Sequence, residues 1–229
     1  MTIANTVNLN LNFGAVLSQL SNSTSLTTVE GLEKSYTANE GTQSGPFVGI
    51  GAEYVLDHLT SMPFALGLGV SAYYIDLGNI SGTENPWVTP GLTDTLDYSM
   101  QASSVALMFE PRLTYTAYHL QPYILGGIGC AWNSLSNFTE TTPPGGGAAA
   151  SNPYGNNTES SFAYEVGAGV QYPLVANQSS GFILRFEYRY LNLGRSELGG
   201  SSGQTTNQRL TSNNISTNVV DFGLSYQFQ

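Results

Sequence analysis

The sequence is short of charge, of cations and of cysteine. Only 10% of its 229 residues are charged, against roughly 25% in an ordinary soluble domain. The cations are Lys34 and five arginines; against sixteen acids they leave a formal charge of −10. A nucleic-acid partner requires a basic stripe, which six scattered cations do not make. The single cysteine, Cys130, excludes an internal disulfide and any cysteine-built metal site. No stretch approaches the roughly 18–20 consecutive apolar residues of a membrane helix, and mean hydropathy is only −0.09. Residues 1–20 have no basic start and no long apolar core, so they do not read as a secretory signal. Fourteen Tyr, ten Phe and two Trp argue against disorder. Gly, Ser, Thr and Asn fill the space that charge vacates, and no composition break marks a second domain within 1–229.

What is present is alternation with period two, the spacing that sends successive side chains to opposite faces of a strand. The clearest case puts Phe182, Leu184, Phe186, Tyr188 and Tyr190 on one face and Arg185, Glu187 and Arg189 on the other. Seven more segments repeat it, with apolar faces running over Leu9–Leu17, Val48–Leu56, Phe64–Tyr74, Val105–Tyr115, Ile124–Trp132, Phe162–Tyr172 and Val220–Phe228. The pattern predicts an all-β fold of eight antiparallel strands in up-and-down order. The connections alternate: long ones at about 18–45, 79–97, 137–159 and 196–214, short ones between. Long and short connections therefore lie at opposite ends.

The size of the side chains decides which face turns in. The polar faces carry Gly49, Gly51, Gly67, Gly69, Gly127, Gly129, Gly167, Gly169 and Gly223, which suit the narrow, side-chain-filled interior of an eight-stranded barrel. The apolar faces carry Phe, Tyr, Trp and Leu, which would overfill it. The apolar faces thus turn outward to lipid, and the barrel is transmembrane. The charges agree. An arginine facing lipid at midplane costs about 2–4 kcal/mol, whereas inside, Arg112, Arg185 and Arg189 share parity with Glu53, Glu110, Glu165, Glu187 and Asp221, with Asp57 at a strand end. These form an expected interior ion-pair cluster, which in its simplest role fills and stiffens the lumen. Tyr54, Tyr74, Tyr115, Tyr123, Trp132, Tyr172, Tyr190 and Tyr226, near strand ends, are the expected aromatic girdle; read plainly, they are ordinary sheet aromatics.

The segments FILRFEYRYLNLG (182–194), LQPYILGGIG (120–129), FAYEVGAGVQY (162–172) and NVVDFGLSYQF (218–228) make the chain resemble the OmpA-like, opacity-type outer-membrane β-barrels of Gram-negative bacteria. The resemblance spans almost the whole chain, and 182–194 is its most specific part. It implies a removed signal peptide, termini in the periplasm and long loops outside. It implies contact with outer-membrane lipid and lipopolysaccharide, and reading by the barrel-assembly machinery of a C-terminal signal at Tyr226 and Phe228, here followed by Gln229. A monomer is the expected state.

No chemistry stands out. His58 and His119 fall in or beside short turns and read as turn polar residues; two isolated histidines make a poor metal site. No catalytic residue, cofactor or metal ligand is assigned. Cys130 sits on the lipid parity beside Trp132 as a small hydrophobe. Trp87, in the second long loop, is either a contact residue for a host or surface ligand or packing for its own loop. Three readings stay open: a non-catalytic structural or surface-interacting barrel, a narrow channel gated by its interior ion pairs, and a soluble lipocalin-like binder.

Overall fold

A computed structural model describes residues 6–19, 23–27, 33–39, 41–57, 63–86, 94–176, 180–201 and 208–228. They form β1 (Thr6–Gln19), β2 (Ser23–Thr27), β3 (Glu33–Ala38), β4 (Thr42–Asp57), β5 (Phe64–Asn85), β6 (Leu96–Tyr115), β7 (Gln121–Thr141), β8 (Tyr154–Gly155), β9 (Asn157–Ala176), β10 (Ser180–Glu197), β11 (Gly199–Gly200) and β12 (Thr211–Phe228). Eight of these are long. They pair in the order β5-β4-β1-β12-β10-β9-β7-β6, and β6 pairs back onto β5, so the ring closes. Every pairing in the ring is antiparallel. The first and last strands meet through Val7↔Phe228 to Ser18↔Thr217. Closure leaves the ring no free edge.

The exposed face of the lower part is a continuous apolar belt. Leu9, Leu11 and Phe13 lie beside Ile50 on one side and Phe222 and Leu224 on the other; Val70, Leu107, Phe109, Ile124, Ile128, Phe162, Val166, Leu184 and Phe186 carry the belt round. No charged side chain interrupts it among the described residues. The inner face at the same level is polar: Asn8, Asn12, Ser71, Thr114 and the ionic residues are all buried. Glycines make the tight interior possible. A Cβ on Gly129 would sit 1.9 Å from the carbonyl oxygen of Leu107.

Above the belt the polarity inverts. Outward positions become Asn192, Ser216, Asn218, Ser103, Gln101, Ser134 and Thr158, while inward positions become Val16, Phe47, Ile75, Leu77, Met100, Ala102, Leu135, Leu191, Leu193, Ile215 and Val219, all buried. On β10 the change takes three residues: Arg189 in, Tyr190 out, Leu191 in. The upper barrel is thus an ordinary water-facing sheet around an apolar core.

This inversion corrects the loop boundaries expected from sequence. The segments at 79–97, 137–159 and 196–214 begin and end in strand: β5 runs on to Asn85, β6 starts at Leu96, β7 ends at Thr141, β9 starts at Asn157, and β10 and β12 reach Glu197 and Thr211. Within 18–45, the β2–β3 hairpin pairs with the top of β5 through Ser35↔Asn85 to Ala38↔Gly82. Outward alternation of apolar residues stops at the top of the belt, but hydrogen-bonded pairing does not. The long strands therefore run 14–22 residues.

Three β-bulges that hold a residue of positive φ mark the transition, and a further register shift follows at Gly194/Ser196. The register slips at Asp76/Gly78 on β5, at Ser99/Gln101 between β6 and β7, and at Asn192/Gly194 on β10. Each slip holds a residue of positive φ: Gly78 (83°), Asn137 (55°) and Gly194 (78°). A left-handed residue is what a bulge of this kind needs, and glycine takes it without strain. Two of the bulges are built alike. Gly78 N donates to Asp76 Oδ1 at 2.9 Å, and Gly194 N donates to Asn192 Oδ1 at 3.0 Å. Their sequences, Tyr-Ile-Asp-Leu-Gly (74–78) and Tyr-Leu-Asn-Leu-Gly (190–194), follow one pattern, and their strands, β5 and β10, stand opposite each other in the ring.

Candidate functional site: the lumen and its outer cap

The lumen has three storeys. The lowest, at the end with the short turns, is a polar vestibule of about 270 Å³ lined by Asn8, Thr114, Gln121, Gln171 and Gln227, with Glu53 and Arg185 on its wall.

The middle storey is ionic and fills the bore. Five strands supply eight charged side chains because the polar parity of each points inward. Arg185 Nη2 lies 2.6 Å from Glu53 Oε2, and Arg112 Nη1 lies 3.1 Å from the same oxygen. Asn8 donates to it at 3.2 Å. Arg112 also reaches Glu187 at 3.8 Å and lies over the ring of Tyr123 at 4.7 Å. Arg189 is the hub. It pairs with Glu110 at 3.0 Å, Glu165 at 3.1 Å and Asp221 at 3.3 Å, contacts Glu187, and donates to the Tyr73 hydroxyl. Ser71 donates to Glu110 at 2.8 Å, and Asn12 to Asp221 at 2.9 Å. All eight residues expected as an interior cluster meet here, and all are buried. The side chain of Asp57 and His58 lie outside the described residues. So does Trp87. Five acids oppose three arginines, so polar donors and close pairing have to carry the excess. Buried charges require such partners.

The top storey is the apolar core above the belt, closed by an aromatic cluster. Tyr98 stacks on Phe138 with centroids 6.0 Å apart, and Tyr154 meets Phe138 edge-on at 5.0 Å. Tyr36 from the β2–β3 hairpin packs against Tyr98 and Tyr154.

The expected girdle residues divide. Tyr54, Tyr74, Trp132, Tyr172 and Tyr226 are exposed on the outer face, and Tyr115 and Tyr190 are half-buried. Phe228 is exposed beside Tyr226. Tyr123 is a correction: it is 3% exposed and points inward, where its hydroxyl donates to Glu187 Oε2 at 2.7 Å. It shares parity with Leu125 and Gly127, so alternation counted from Ile124 puts it inside. Sequence reading also missed Tyr73 and the apolar top storey. Plain alternation with Gly69 and Ser71 was the signal for Tyr73, and the parity inversion after Tyr74 and Tyr190 was the signal for the top storey.

His119 is exposed in the turn between β6 and β7. Among the described residues, no three of His, Cys, Asp and Glu converge on a metal-sized site. Cys130 is exposed on the belt, opposite Leu107 and Phe162.

A closed antiparallel ring with an apolar outside and an ionic inside is the arrangement a bilayer selects. The outer membrane protein beta-barrel domain family matches residues 5–228. The chain belongs to this family. It is an eight-stranded outer-membrane β-barrel of a Gram-negative bacterium. No curated protein matches the sequence. Solved structures to which the barrel is similar include the outer membrane protein OprG from Pseudomonas aeruginosa, at 14% identity and TM-score 0.49, covering 97% of this chain and 96% of that one. Neisserial surface protein A gives 13%, 0.42, 96% and 95%. Ail, the attachment invasion locus protein of Yersinia pestis, gives 11%, 0.37, 97% and 99%.

Proposed function

We propose that the barrel is a closed, non-catalytic outer-membrane protein that works through its outer surface, as a membrane-stabilising element and as a rigid platform for adhesion or host contact. One observation carries this reading: the strands continue well past the belt around an apolar core, so the loop tips are held on an ordered stalk. A barrel needing only to span lipid could stop after roughly 9–11 tilted residues per strand. The polar outward face of the stalk suits water and the headgroups of lipopolysaccharide. Tyr226 and Phe228 are the residues for the assembly machinery to read, and the closed ring with no free edge favours a monomer.

The absence of a catalytic assignment rests on chemistry. His119 sits at the short-turn end, away from the outer rim, and the acids of the ionic storey are engaged by arginines, hydroxyls and side-chain amides. A channel is disfavoured because any path must cross both the Arg189 hub and the apolar storey. Two measurements test the reading. In planar bilayers the protein is expected to be silent; stable conductance steps lost in Arg185→Ala would establish the gated pore instead. Bacteria displaying the barrel are expected to bind host cells, and to lose binding when 143–150 is replaced by a Gly-Ser linker with folding intact. Unchanged binding would remove the surface role from that loop.

A further inference from the structure

Well above the belt, a second buried charged cluster joins pieces of chain that the membrane does not hold. Glu84, on β5 ten residues beyond Tyr74, lies about 33 Å further along the strand at 3.3 Å per residue, clear of the bilayer. Its Oε1 pairs with Lys34 Nζ of the β2–β3 hairpin at 2.8 Å. Glu140, near the end of β7, accepts from the backbone N and the hydroxyl of Ser151, at 3.0 and 3.3 Å, so it ties down the connection that leaves β7. Both carboxyls are buried and lie within hydrogen-bonding reach of each other. The second oxygen of each, Glu84 Oε2 and Glu140 Oε1, is buried without a donor.

Among the described residues, the other groups facing the pair are Lys34, Tyr36, Tyr98 and Tyr154. Burial raises all three phenols, Tyr98 and Tyr154 to about 12, so none supplies an anion near neutrality. That leaves two carboxyls and one ammonium. Two carboxylates cannot hydrogen-bond to each other; a carboxylic acid and a carboxylate can. One proton satisfies both donorless oxygens and balances the single cation.

We propose that Glu84 and Glu140 are a one-proton acid pair that latches the 142–153 connection onto the barrel mouth beside the hairpin, and that loss of the proton releases it. Burial, the hydrogen bond to Glu84 and the like charge of Glu84 push Glu140 from 4.5 up to about 8, outweighing the Ser151 amide and Lys34, which pull it down. A raised acid favours the closed form below its ordinary value, and that advantage falls as pH climbs to the raised one. The latch is thus closed in mildly acidic surroundings and loosened in alkaline ones. This goes beyond a surface role and does not require that the loop have a ligand.

The test is amide hydrogen exchange of the intact barrel in lipid nanodiscs from pH 5 to 8.5, corrected for intrinsic chemical exchange. The opening constant of amides in 142–153 should rise with pH by up to about tenfold per unit, while belt amides stay flat. Glu140→Gln, always neutral and able to donate to Glu84, should hold the connection closed throughout, and Glu84→Gln should also remove the pH dependence. A flat wild type, or a rise that survives in either variant, overturns the proposal. Closure of the wild type at pH 8.5 by added calcium also overturns it, making the pair a cation site. Should the variants fail to fold, the wild-type Glu140 carboxyl followed by 13C NMR should titrate near 8; titration in the ordinary carboxylate range refutes the latch.

Discussion

At the scale of the residue, Arg189 is the least replaceable side chain in the lumen. Four carboxylates and the Tyr73 hydroxyl converge on one guanidinium, whose geometry a lysine cannot reproduce. Arg189→Met keeps much of the volume and strands Glu110, Glu165, Glu187 and Asp221 as unpaired buried acids. Breaking a buried ion network from one side costs about 3–5 kcal/mol. Urea unfolding in micelles should show that loss as a lowered midpoint with unchanged slope. Arg195 pairs with Glu159 at 2.8 Å, closer than Arg189 lies to Glu110, but its side chain is 70% exposed. Arg195→Ala should therefore move the same midpoint by no more than about 0.5 kcal/mol. Comparable losses for the two arginines would mean that the lumen network contributes nothing special. Tyr123→Phe isolates one hydrogen bond to a charged group and should cost about 1.5–3 kcal/mol; no effect would return Tyr123 to the role of a ring that merely fills space.

At the scale of the element, the bulges show what was legible in the sequence and what was not. The eight strands, their outward faces and the ionic interior followed from strict alternation, because lipid on one side and a narrow bore on the other leave each position a single acceptable chemistry. The upper storey did not follow, because water accepts polar residues outside just as a core accepts apolar ones inside. The pattern therefore changes sign at Tyr190-Leu191-Asn192 while the strand continues. Beyond it, the extra residue of each bulge shifts the phase: inward positions on β5 are Tyr73, Ile75 and Leu77 below Gly78, then Ile80 and Glu84 above it. The parallel Tyr-Ile-Asp-Leu-Gly and Tyr-Leu-Asn-Leu-Gly segments were the readable trace of that shift. Gly78 has φ 83°, and a Cβ there would lie 3.0 Å from Gln43 Cβ. Gly78→Val should cost about 1–3 kcal/mol of strain. Gly78→Asn should cost less, because asparagine tolerates the left-handed region and Asn137 already holds it at the β7 bulge. Equal costs, read from denaturation midpoints, would mean crowding by Gln43 rather than backbone conformation sets the glycine requirement.

At the scale of the whole molecule, the two ends of the barrel have different physics, which fixes how it must sit. One end carries short turns, the first and last described residues (Thr6 and Phe228) and the open vestibule; the other carries the stalk, the hairpin and the long connections. Polar strands extending well past the belt at only one end require water on that side for their outward hydroxyls and amides, whereas the short turns need little more than the headgroup layer. Reporter cysteines can read this orientation directly, because the chain has only Cys130, on the belt where lipid shields it. In a Cys130→Ser background, Ala149→Cys lies exposed in the β7–β8 connection and Ala117→Cys lies exposed in the β6–β7 turn. Added to intact cells, a membrane-impermeant maleimide should label the first at once and the second only after the envelope is permeabilised. Unsubstituted protein in liposomes should resist the same reagent at Cys130 and become reactive once unfolded in urea. Labelling of Ala117→Cys in intact cells would invert the topology, and rapid labelling of Cys130 in liposomes would place the belt in water and return the molecule to the soluble-binder reading.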